Sequence, residues 1–137
     1  MIAVSGQADL VPEGADKITN AVLHVALVQD VVHYAGSNGV RLHNLVVRKL
    51  LGSPAGTPLQ PPGTKTTVSE SVDTNALGTS LDAYLSNYEK TGPRSSSGFT
   101  FKSRVDQIDP KQLLVVAFVQ DDKTKEVLQA VVVTPGR

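Results

Sequence analysis

The chain has 137 residues, 40% of them apolar, with thirteen basic residues against thirteen acidic ones and no cysteine. That length suits one domain, 1–137, with enough apolar content for a sizeable core, and the missing cysteines remove disulfides, thiolate metal sites, thiol nucleophiles and CxxC redox chemistry together. The charges also balance regionally, four of each sign before Pro61 and nine of each from there on, so no basic stripe marks a nucleic-acid footprint.

In chain order, residues 2–10 alternate, with Ile2, Val4, Gly6, Ala8 and Leu10 at one parity, which predicts a strand closed by Pro12, Glu13 and Gly14. Residues 21–28 predict a central strand, with Leu23, Val25 and Leu27 facing one way and Val22, His24, Ala26 and Val28 the other. Residues 31–34 and 40–50 flank Ala35-Gly36-Ser37-Asn38-Gly39. Asn38 and Gly39 both tolerate positive φ, and a two-residue turn there makes a hairpin with Tyr34 opposite His43 and His33 opposite Asn44. From 51 to 64, Pro54, Pro58, Pro61 and Pro62 with Gly52, Gly56 and Gly63 cannot supply a regular ladder of backbone donors. This segment reads as a long connection from one sheet or edge to another. Residues 65–72 predict a polar strand suited to an edge.

Residues 79–90 place Leu81, Tyr84, Leu85 and Tyr88 on one stripe at helical spacing. Thr79 and Asp82 suit the helix start, and Gly92-Pro93 suits its end, the glycine as a left-handed cap. Residues 98–105 alternate again, with Phe99 and Phe101 inward, and predict another strand. Finally, two apolar runs within 113–133 flank a charged tip at 121–126, the pattern of a hairpin that must bury at least one face.

Seven or eight strands with one short helix predict a mainly β chain, an immunoglobulin-like antiparallel β-sandwich in the limited sense of two packed sheets, with a barrel as the rival. The expected core is Leu23, Val25, Leu27, Val46, Phe99, Phe101, Val115, Ala117, Val119, Leu128 and Val132. The apolar run beginning at Leu113 is too short to cross a bilayer, and Met1-Ile2-Ala3 has neither the basic start nor the apolar stretch of a signal peptide. The chain therefore reads as soluble, with any targeting segment upstream of it.

Residue chemistry points to no reaction. His24, His33 and His43 fall on neighbouring predicted strands, the one arrangement that suggests a metal site. The hairpin register, however, turns His33 and His43 to opposite faces, and ligands must converge. No Gly-x-Ser-x-Gly elbow, GxGxxG or Walker pattern occurs. Asp121, Asp122 and Glu126, with lysines between them, read as a solvated turn rather than a calcium loop. No cofactor is expected. Asn44, Val46 and Arg48 share a strand face, and so apolar a run asks for an Arg48 partner, a backbone carbonyl or one of Asp30, Glu70 and Asp73.

His43-Asn44-Leu45-Val46-Val47-Arg48, following Val25-Ala26-Leu27-Val28, resembles the H-N-x-V-x-R segment of the bacterial twenty-eight-kilodalton outer-membrane protein family. Leu114 through Asp121 and then Glu126-Val127-Leu128-Gln129-Ala130 resemble the closing hairpin of its C-terminal β-sandwich. Together the matches span about two-thirds of the chain. The resemblance implies a non-catalytic accessory domain of an exported or envelope-associated bacterial protein, extracytoplasmic and associated with a thioredoxin-like domain. This chain has no CxxC, so disulfide exchange and peroxide reduction do not carry over to it.

Two functions from different classes follow. One is an interaction module whose contact surface is Gly36, Asn38, Gly39, His43, Asn44, Arg48, Pro54, Pro58 and Pro61, since a rigid sandwich leaves its variable chemistry to long connections. The other is a metal-dependent or small-molecule enzyme built on His24, His33 or His43.

Overall fold

The computed structural model describes residues 1–13, 18–34 and 38–134. Its strands are β1 (Ile2–Ala8), β2 (Ala21–His33), β3 (Leu42–Leu51), β4 (Thr57–Pro58), β5 (Thr66–Val72), β6 (Leu113–Asp121) and β7 (Val127–Val133), with one helix, α1 (Thr74–Thr91), between β5 and β6. All pairings are antiparallel. The chain is mainly β and sandwich-like: β1 and β5 form a two-stranded sheet, and β3-β2-β6-β7, with β4 also on β2, form a five-stranded one.

β2 organises the larger sheet. Asp30 does not interrupt it, so the two short strands expected at 21–28 and 31–34 are one of thirteen residues. Its odd positions Leu23, Val25 and Leu27 join Leu51, Leu113 and Ala117 on the face that meets Val4, Val68 and Val72 of the smaller sheet. Gly6 marks the closest approach of the two sheets. A Cβ built there would lie 2.6 Å from Val25 Cγ2, so β1 reaches β2 only because residue 6 has no side chain.

The proline-rich segment does two jobs. β3 pairs with β2 as far as Leu51 opposite Val25; residues 52–56 then leave the ladder, and β4 rejoins the same edge with Thr57 opposite Leu23 and Pro58 opposite Val22. Pro58 is tolerated because this edge has no further neighbour. Only residues 59–65 cross to β5, anchored by Leu59 N–H donating to Ala21 O and Gln60 N–H donating to Thr66 Oγ1.

Several expectations need correction. Helix α1 starts five residues before Thr79, because Asp73 accepts hydrogen bonds from the backbone N–H groups of Asn75 and Ala76 and so caps it. Tyr84 lies outside the buried stripe. Gly92 has φ −67°, not a left-handed conformation; a Cβ there would meet Tyr88 O at 2.5 Å, so glycine is required by contact. Residues 98–105 form no strand. Phe99 and Phe101 instead pack edge-on to each other and beside Tyr88 of α1, a cluster separate from the main core. The main-chain N–H of Phe101 donates to Glu89, and Arg104 donates to Asp82, Ser86 and Glu89, so helix side chains replace the missing strand partner.

Of the expected core, Leu23, Val25, Leu27 and Ala117 are buried, and Val115 and Val119 pack against them. Val46 is half-buried, while Leu128 and Val132 are exposed on the outer strand β7.

One ion pair bridges the two sheets. Lys49 of β3 meets Glu70 of β5 at 2.5 Å, and Gly52 N–H also donates to Glu70. These hydrogen bonds, that from Lys49 first, hold the Glu70 carboxyl below its ordinary 4.5.

Gly6→Ala is expected to destabilise the protein by about 1–3 kcal/mol through overpacking against Val25, measured by urea unfolding. A folded pKa below the unfolded one makes the Glu70 contribution complete above 4.5 and lost as pH falls through the lower, folded value. Glu70→Gln should therefore flatten the acid limb of the stability profile while changing neutral stability little, because the pair is partly exposed.

Candidate functional site

Arg48 is a half-buried charged group of the larger sheet, bonded to Gln29, the sheet's buried polar residue. The pairing of β2 with β3 slips beside Leu27 and Val28, leaving Arg48 between the paired residues Val47 and Lys49. Its Nε donates to Gln29 Oε1 at 3.0 Å and one terminal nitrogen donates to Val105 O at 2.7 Å. The backbone carbonyl is thus the partner, and none of Asp30, Glu70 and Asp73 bonds to it. Burial lowers the guanidinium pKa and nearby Asp106 opposes that shift. The group stays charged and acts as a bolt between β3 and the irregular segment that packs on α1.

The hairpin between β2 and β3 differs from the one expected. Tyr34 N–H donates to Arg41 O, which closes a loop of six residues rather than two. Gly39 has φ 79°, but Asn38 is not at positive φ; its side chain accepts from Val40 N–H instead. The register moves accordingly: Val32 faces His43 and His33 faces Leu42. His33 and His43 still fall on opposite faces. His43 lies beside Tyr34, their ring centroids 6.0 Å apart, and exposed His33 points away.

His24 sits elsewhere again. Its ring stacks on Phe118 of β6 at 4.9 Å, and the 52–56 turn covers it, because a Cβ on Gly56 would lie 2.8 Å from the imidazole. The three histidines share no point in space. Among the described residues no group of three or more His, Asp and Glu side chains could hold a metal ion. At the tip between β6 and β7, Asp121 accepts from Lys123 N–H and Thr124 N–H, and Asp122 pairs with Lys125. The backbone bond from Thr124, then that from Lys123, lowers the Asp121 pKa.

The residues expected to form a contact surface are likewise divided. Gly36 lies outside the described residues. Asn38, Gly39, His43 and Asn44 are at one end of β2, whereas Pro58 is opposite Val22 at the other, with His43 opposite Val32. Ten residues of extended strand separate those pairs, about 33 Å. Pro54 and Pro61 are exposed near the Pro58 end.

What the structure does assemble is apolar. A groove of about 380 Å³ runs between the chain leaving β1 and the β6-β7 hairpin, lined by Leu10, Val11, Leu23, Val119, Leu128 and Val131 among others, with Asp9 the one charged member among the described residues. On the opposite face of the larger sheet, Val47 and Leu50 of β3 and Val116 and Phe118 of β6 flank buried Ala26 and Val28 of β2. No helix crosses that face: the hydrogen bonds and ring contacts of α1 run to residues 99–104, and Leu77 reaches the inner core. Neither surface offers an acid–base pair or a nucleophile with an oriented base.

Sequence reasoning missed both surfaces. The available signal was the last strand, VLQAVVV, seven residues without charge or alternation, which reads equally as a buried strand and an unprotected outer one.

Comparison with protein-family models, curated proteins and solved structures finds no match to this chain. No described helix is long and apolar enough to cross a membrane.

With the imidazoles dispersed, a chelator is expected to leave the unfolding midpoint unchanged, and elemental analysis should find no stoichiometric zinc. A zinc content near one per chain that disappears in His43→Ala would contradict this placement.

Proposed function

We propose that this chain is a non-catalytic interaction domain of an exported or envelope-associated bacterial protein, and that it docks a thioredoxin-like domain against the open face of its five-stranded sheet. The observation that carries this reading is the partly open apolar surface formed by Val47, 54% exposed, Leu50, 38% exposed, and half-buried Val116 and Phe118, with the 52–56 turn at its His24 end. A contiguous apolar face of this kind on a polar-rimmed domain marks an interaction surface. The resemblance carried by His43, Asn44, Val46 and Arg48 supplies the class of partner and the compartment. What favours association over a histidine enzyme is the separation of His24, His33 and His43, which leaves no two imidazoles on one substrate-sized site.

Val47→Asp tests the surface, because Val47 is exposed enough for the fold to tolerate charge while a partner seated there would not. Where the complete reading frame encodes a thioredoxin-like domain, amide exchange at Leu50 and Val116 should slow in the two-domain protein relative to this chain alone. Val47→Asp should then weaken association on the order of tenfold or more. Identical exchange in both proteins, or a reading frame with no such domain, would remove the proposal. Turnover of a hydrolase substrate that depends on His33 or His43 would replace it with the enzyme reading.

A further inference from the structure

Among the described residues, β7 pairs with β6 on one side and with no strand on the other. Successive residues of an antiparallel strand direct both N–H and C=O alternately to the two sides, so the free side of β7 presents a row of unused donors and acceptors. All seven of its side chains are exposed, among them Val127, Leu128, Val131, Val132 and Val133, and the strand holds no charge, proline or glycine. Proteins guard such edges with lysine, proline, bulges or short length. The other edges follow that practice. β3 carries His43, Arg48 and Lys49 and a register slip, and β5 carries Glu70; β1 places small or polar Ala3, Ser5 and Gln7 outward. β7 has a register slip against β6 at Leu128, but it is the aliphatic edge strand that carries no charged side chain.

We propose that β7 pairs with β7 of a second copy of this chain, antiparallel about a two-fold axis at Ala130, joining two five-stranded sheets into one of ten. The strand is self-complementary in that register. Across the axis Ala130 meets Ala130 and Gln129 meets Val131, and past the slip at Leu128 the remaining side chains that approach Val132 and Val133 are aliphatic, so no like charges oppose. A charged partner would find nothing on β7 to pair with, whereas a neutral strand meets itself without penalty. The area is sufficient. Five half-exposed aliphatic side chains, with Gln129, Ala130 and the adjoining lip of the groove at Val11, amount to on the order of 500 Å² per copy, or about 1,000 Å² in all, the lower bound for a specific interface. An interface at that lower bound makes a weak, reversible dimer. Its surface is distinct from the proposed docking face, whose exposed residues Val47 and Leu50 lie on the opposite edge strand, so either assignment can fail alone.

Sedimentation of the 137-residue chain across the micromolar range should show a monomer–dimer equilibrium. Val131→Lys should raise the dissociation constant at least tenfold with circular dichroism and melting temperature unchanged. Because the chain has no cysteine, Ala130→Cys gives a single thiol that faces its own copy across the axis, with Cβ atoms about 5 Å apart. Under mild oxidation it should cross-link to a covalent dimer, while Ser5→Cys on β1 should stay monomeric. Cross-linking decides the matter even if Val131→Lys fails to fold. A chain that stays monomeric at the highest concentration, open-ended oligomers, or cross-linking through Ser5→Cys in place of Ala130→Cys would each overturn the proposal.

Discussion

The contact on which the rest of the structure depends is the approach of β1 to β2 at Gly6. Two strands are a narrow lid for a sheet of five, and they can bury Leu23, Val25 and Leu27 only by lying close over β2. Gly6 permits that closeness where any side chain would strike Val25. Hydrophobic burial scales with the apolar area removed from water, so a lid held off by one methyl group would leave the most apolar strand of the chain partly wet. β2 is also the strand with the most partners: β3 and β4 share one of its edges and β6 takes the other. Its thirteen residues therefore fix the register of most of the larger sheet.

The inequality of the two sheets then determines where the molecule is bare. β1 and β5 lie over β2 and its near neighbours, and no further described strand extends the small sheet beyond β1. Val131 and Val133 on the inner side of β7 and Val132 on the outer side are left exposed by the same shortage of strands. The groove between β1 and the last hairpin is the gap that a third strand of the small sheet would close. Exposed aliphatic residues here follow from the topology, and they concentrate on one uncharged strand.

The strand content was legible from the residues because period-two alternation survives in β1, β2 and β5, and because the charged tip at 121–126 separates two apolar runs unambiguously. Which strands lie at the edges was not legible. β6 and β7 read alike as apolar runs, yet β6 sits beside β2 and β7 is outermost, and only the order of strands distinguishes them. The alternation of Phe99 and Phe101 mimicked a strand for a specific reason: their spacing of two also suits an irregular chain laid along α1, where both rings meet Tyr88. The start of α1 was missed because Asp73 caps it from the end of β5, outside the apolar stripe on which the periodicity rests. Of the expected contact residues, Arg48 was correctly seen to need a partner, but its partner, Val105 O, lies fifty-seven residues away in a segment read as a strand.

Side chains meet backbone groups of residues 99–108 that a β ladder would otherwise meet: Arg48 takes Val105 O from the sheet side and Glu89 takes Phe101 N–H from the helix side, while Arg104 ties the segment to Asp82, Ser86 and Glu89. A strand in this position would have offered regular donors to its neighbours, but Phe99 and Phe101 both turn to Tyr88, which aligns the backbone with the helix and leaves its polar groups without a strand partner. Unpaired buried backbone groups cost more than paired ones return, so each must be met by a side chain long enough to reach it. Guanidinium groups suit that task because they remain charged when half-buried and donate in several directions at once. The cations nearest the core are thus committed to holding α1 and its packing segment to the sheet, and the neutral surfaces of the larger sheet are what remain free for contact with another polypeptide.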